Sequence, residues 1–168
     1  VNEALSIVWQ SGLLRREVSD YELSGVDRVP IGSSTTVGKI FSEVSALTDF
    51  GGVRMFHRKN RPGALEASVA LLNPLAAVID GAAKRDTRTL RYRIGEAMVA
   101  ATAPLALSAA LPETELNDLL AALRTGFGPV GRTSAQNITA RQMRIAQDLW
   151  QLVSPDNERR LRQICEDV

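Results

Sequence analysis

Between Leu90 and Ala101 the apolar residues fall on two sides of a helix rather than one. At about 100° per residue, Leu90, Ile94, Ala97, Met98 and Ala101 share one arc, and Tyr92, Gly95 and Val99 lie opposite. A helix apolar on two sides is expected to be packed on two sides. Glycine costs about 1 kcal/mol in a helix interior, so Gly95 predicts the close approach of a neighbour. Glu96, flanked by Tyr92 and Val99, is then expected to be partly enclosed. Asp86 or Thr87 supplies the N-cap. The helix is expected to reach about Thr102, where Pro104 forces a break.

The pattern before this helix changes period twice. Residues 2–17 place Leu5, Val8, Trp9, Gly12 and Leu13 at helical spacing. Residues 18–33 carry Gly25, Pro30 and Gly32 and read as a loop. Residues 34–47 form a second helix with a Ser/Thr-rich start and the stripe Val37, Ile40, Phe41, Val44 and Leu47. Residues 53–59 then alternate, Val53, Met55 and His57 against Arg54, Phe56 and Arg58, as a strand does. A turn cluster at residues 60–63 leads to a second strand, residues 65–72, and the two read as a hairpin. After Asn73-Pro74, residues 75–79 are a short, fully apolar strand.

Helical spacing dominates the remainder. Residues 105–111 are a short apolar segment, and Pro112 opens a helix whose early acids suit its dipole and which ends at Gly126 or Gly128. Residues 129–134 are a loop, and residues 136–153 a long helix with Ile138, Met143, Ile145, Ala146, Leu149, Trp150 and Val153 as apolar positions. Ser154-Pro155-Asp156 restarts a last helix over residues 155–167, burying Leu161 and Ile164. The expected fold is α+β: a small, mainly antiparallel sheet of about three strands over residues 53–79, packed against a helical majority.

The chain of 168 residues reads as a single domain, residues 1–168. It begins at Val1 within a helical pattern, so it is expected to be a fragment of a larger chain, its first helix continuing an upstream helical region. Twenty basic and 19 acidic residues give a net charge of +1, which supplies no argument for nucleic acid or an anionic membrane. No apolar run approaches the roughly 20 residues that span a bilayer. One cysteine, Cys165, allows no internal disulfide and favours a reducing, cytoplasmic setting. One histidine, His57, and that cysteine cannot make a structural zinc site by themselves.

The order of elements carries a resemblance. A β-hairpin, an apolar strand after Asn73-Pro74, a polar turn with Asp86, and then the run Leu90 to Val99 resemble the minimal core of the gluzincin zinc peptidases. In that family the helix carries HExxH, whose two histidines hold zinc while the glutamate activates water. Aligned here, Gly95 and Val99 stand at the histidine positions, and Glu96 matches the glutamate. The likeness covers about residues 53–125. It is similar to HExxH-less relatives found beside tetratricopeptide repeats in large bacterial proteins. It implies a pseudo-enzyme frame without zinc or other cofactor, used for contacts with a protein partner or with other domains of the same chain.

Three other chemistries have partial signatures in the chain. Glu96 with His57, leaning into one cleft, is the hydrolase alternative; a lone carboxylate, paired here with Arg93 one turn earlier, has no means of activating water. Lys84, Arg85, Arg88, Arg91 and Arg93 form a basic cluster, with Arg85, Arg88 and Arg91 as a possible contact patch. Nucleic-acid binding there is disfavoured, since no aromatic ladder accompanies it. Residues 32–39, GSSTTVGK, approach a P-loop, but five residues separate Gly32 from Gly38 and Ile40 follows Lys39 where Ser or Thr is required. No Gly-x-Ser-x-Gly elbow accompanies His57.

Overall fold

The computed structural model describes residues 1–48, 52–129 and 138–166. They fall into two compact units, Arg15–Ala110 and the combination of Val1–Leu14 with Leu111–Val168. The fold is α+β with a helical majority and a small mixed sheet of four strands.

The sheet lies wholly in the unit Arg15–Ala110 and has the order β1-β2-β4-β3. Its strands are β1 (Arg28–Val29), β2 (Arg54–Arg58), β3 (Glu66–Ala70) and β4 (Ala76–Asp80). The short strand β1 falls in the segment read as loop. There two single 3-10 turns, Val18–Tyr21 and Gly25–Asp27, are closed by Asp20 and Asp27 accepting from the backbone N–H groups of Glu17 and Ser24, each at 2.9 Å.

The expected hairpin between residues 53–59 and 65–72 does not form. Strand β4 lies between β2 and β3, parallel to β2 and antiparallel to β3. The reason is burial. All five residues of β4 are buried, and a strand apolar on both faces needs neighbours on both edges and cover on both faces. Residues 59–75, with β3 inside them, become the crossover that a parallel pair requires. On one face Phe56, Ala70, Ala76 and Val78 pack with Leu23, Leu72, Val18 and Tyr21. The alternate residues Met55, Val69, Ala77 and Ile79 take the other face, and α3 packs against β3 and β4.

The helices of this unit are α2 (Thr36–Thr48), α3 (Arg88–Ala100) and α4 (Ala106–Ala110). Thr35 closes the start of α2 by accepting from the N–H of Gly38 at 3.1 Å. A Cβ on Gly38 would stand 2.5 Å from that of Ser33, so only glycine fits. Burial in α2 is confined to Val37, Gly38, Ile40 and Phe41; Leu47, expected inside, is 84% exposed because the covered stripe ends with the second turn. Thr87 caps α3.

The inner arc of α3 is buried as its periodicity predicts: Leu90, Ile94, Ala97, Met98 and Ala101 are all at most 2% exposed. Its second apolar side is not. Tyr92 is 65% exposed and Val99 44%, and a Cβ on Gly95 would meet nothing within 4 Å. The expected packing on two sides, and the close neighbour at Gly95, are therefore corrected. The sheet takes one face of α3, and among the described residues nothing covers the other.

The second unit is helical: α1 (Asn2–Ser11), α5 (Glu113–Phe127), α6 (Ala140–Leu152) and α7 (Pro155–Glu166). The first of these, α1, ends at Gly12 in the left-handed region, φ 83°, and packs on α6 and α7. Leu5, Val8, Leu119, Leu123, Phe127, Leu149 and Leu161 are among the unit's buried side chains. Trp150 stacks on Phe127, ring centres 5.7 Å apart, and donates its N–H to the Gly126 carbonyl at 3.0 Å. This anchors a ring that remains 46% exposed. The Cys165 thiol approaches the Leu123 carbonyl, and burial pushes its pKa up. Of the loop read at residues 129–134 and the helix start read at Gln136, residues 130–137 lie outside the described residues.

Two substitutions on α3 separate its faces. Gly95→Ala should stabilise the protein by about 0.5–1 kcal/mol, since helix propensity improves and no atom obstructs the methyl. Ile94→Ala, one residue away on the buried arc, should cost about 2–5 kcal/mol. Urea unfolding of the two variants checks both signs.

Candidate functional site

The outward side of α3 forms one wall of a groove. Tyr92, Gly95, Glu96 and Val99 recur at i, i+3, i+4 and i+7, which places them on one helix face. Pro104 interrupts the chain after α3, and α4 returns beside it. Leu105, Ser108 and Ala109 then face the same hollow, about 440 Å³ in volume. The floor is small-residued and the rim is aromatic and aliphatic. Glu96 stands at the edge with its carboxylate accepting from Arg93 at 2.8 Å, both side chains about two-fifths exposed. The expected partial enclosure is thus corrected, while the expected pairing with Arg93, one turn earlier, is present on an exposed carboxylate.

His57 is elsewhere. It lies in β2, half-buried, with Nε2 2.8 Å from the Gly81 carbonyl. A carbonyl oxygen only accepts, so Nε2 carries the proton in the neutral ring. His57 lines a separate cavity of about 410 Å³ with Thr35, Thr36, Val37, Lys59, Asn60, Ala82, Ala83 and Lys84. Glu96 is not among those residues, so the two members of the hydrolase alternative do not share a cleft. Among the described residues no group of three or more His, Cys, Asp or Glu could hold a metal ion.

The basic cluster is divided by its partners. Arg91 donates to both oxygens of Asp86, at 2.8 and 2.6 Å, and to Glu43 at 2.7 Å. These hydrogen bonds hold Arg91 well above its ordinary pKa and the Asp86 carboxyl below its own. Arg93 is engaged by Glu96. Arg85 and Arg88 remain exposed. Of the three residues expected to form a contact patch, Arg91 acts instead as a tie between α2 and the start of α3.

One polar feature is not marked by any motif. Asp80, at the end of the most buried strand, is 9% exposed. Arg58, its register partner on β2, grips it through two nitrogens at 2.5 and 2.7 Å and donates a third hydrogen bond to the Tyr21 carbonyl at 2.9 Å. The Tyr21 hydroxyl in turn accepts from the Leu71 N–H at 2.9 Å. An aspartate ending an apolar strand was the available signal, since a buried charge requires a partner.

Compared with known protein families, curated proteins and solved structures, the chain matches none. The fold and these hollows therefore define the class by themselves: an α+β domain whose central helix has an apolar face that no described residue covers. No helix among the described residues is long and apolar enough to cross a membrane.

The ion pairs give two tests. NMR titration should place the Asp86 carboxyl below the ordinary range, and Arg91→Ala should return it upward. The sign follows from the depressed folded-state pKa: the pair's contribution is present above the unfolded value and is lost as pH falls through the folded one. Arg58→Ala should destabilise the protein by about 3–5 kcal/mol, because it strands the Asp80 carboxylate in the interior. Chemical denaturation at neutral pH reads this directly.

Proposed function

We propose that the protein is a non-catalytic protein-interaction domain of a larger intracellular bacterial protein, and that the groove on the outer face of α3 receives the apolar face of a helix from a partner. One observation carries the reading: Tyr92 and Val99, seven residues apart on the same helix face, are left exposed over a floor of glycine and alanine. Small residues let a backbone come close, and an amphipathic helix lays its apolar face into an apolar groove. The domain's own frame is proposed to be a degenerate gluzincin-like one. Gly95 and Val99, where that family would carry its zinc imidazoles, are given over to the contact. Glu96 is ion-paired with Arg93 and has no imidazole in the same groove, so it is not expected to hydrolyse anything there.

The groove is tested by placing a photo-crosslinking residue at Tyr92 in the full-length protein, in the cell that makes it, with the same probe at Arg159 on α7 as control. A helical segment of one partner protein, captured from Tyr92 and not from Arg159, and lost on Val99→Arg, supports the reading. Capture of another segment of the same polypeptide, or identical products from both positions, overturns it. Metal analysis addresses the frame: the purified protein should hold well under one zinc, and stoichiometric zinc lost on mutation of His57 or Glu96 would restore the hydrolase alternative.

A further inference from the structure

The cavity around His57 is unlike the groove on α3 in both chemistry and position. Its lining has two lysines, a histidine, two threonines and an asparagine, and no carboxylate. Lys59 and Asn60 directly follow β2, and Ala82, Ala83 and Lys84 follow the end of β4. These two strands are parallel neighbours, in register from Arg54 with Ala76 to Arg58 with Asp80. The hollow thus stands outside the carboxyl ends of adjacent parallel strands, the place where open sheets flanked by helices hold their ligands.

The nearby carboxylates are already committed. Asp80 is taken by Arg58, with Arg61 close by at 3.9 Å, and Asp86 is taken by Arg91. Neither Lys59 nor Lys84 forms an ion pair among the described residues. Two like charges facing one concave surface repel each other, and an anion between them relieves that repulsion. Thr36 and Val37, in the first turn of α2, add the partial positive charge of a helix start to the same wall.

We propose that this cavity is a binding site for a phosphate-class oxyanion, with Lys59 and Lys84 as the charged ligands and Thr35 and Asn60 as hydrogen-bonding ones. At about 410 Å³ the cavity falls within the range of small-molecule sites, so it has room for a phosphomonoester with a small organic group. The near-miss GSSTTVGK thereby acquires a use that does not need the P-loop spacing. Thr35 and Thr36 from that run reach the anion's wall, while Lys39 is not part of it. The charge comes instead from the two strand ends. This inference is independent of the helix-binding groove.

The test is titration of the protein with inorganic phosphate and, separately, with phenyl phosphate, at constant ionic strength in chloride, followed by amide NMR shifts and calorimetry. Saturable binding is expected, with the largest shifts at Thr36, Val37, Asn60 and Ala83. The double variant Lys59→Gln, Lys84→Gln should weaken binding by about tenfold or more, since each removed contact is a charged hydrogen bond, without lowering the thermal midpoint. Lys39→Gln should leave binding unchanged. Tighter binding of phenyl phosphate identifies an esterified ligand, and equal binding identifies the free anion; either supports the site. No saturation by either probe, or equal affinity in the double variant, overturns it.

Discussion

Strand β4 depends on being enclosed on every side, and the rest of its unit is arranged to do so. Five consecutive buried residues cannot sit at an edge or face water. Strands β2 and β3 take the two edges, α3 takes one face, and the turns around Tyr21 and Leu23 take the other. The one charge on the strand, Asp80, is tolerable only because Arg58 reaches it from the neighbouring strand and ties it onward to the Tyr21 carbonyl. A buried pair of this kind adds little net stability but makes wrong registers costly. A slip of one residue would part the two charges and turn the apolar set over.

That enclosure also locates both hollows. Because β4 runs parallel to β2, the loops leaving the two strands emerge at the same end of the sheet and bring Lys59 and Lys84 to one cavity. Because α3 covers the sheet with one face only, its second apolar face is left over. Pro104 then returns α4 alongside and makes a groove of it. Neither hollow has the mixed acid and base of a hydrolytic centre. One is apolar with a solvated ion pair at its edge, and the other carries only basic charged residues among alanine, valine, threonine and asparagine.

Much of the architecture was legible. The inner arc of α3, the Ser/Thr-rich start of α2, the cap at Thr87, the break at Pro104 and the restart at Ser154 are local matters of periodicity and capping chemistry, and all stand where the residues place them. The candidate sites were less so. His57 and Glu96 looked able to meet, but they line different hollows. Arg91 looked free, but Glu43, 48 residues earlier, holds it.

The chain by itself determined the main helices, the strands β2 to β4 and the inner arc of α3, because those follow from the spacing of apolar side chains and the chemistry of the termini. Only the tertiary structure decided that β4 inserts between β2 and β3, and that α3 is covered once rather than twice. Pairing is a contest between whole surfaces for the same cover. The apolar pattern states how much must be buried, but the partner that buries it is fixed only when every element is in place.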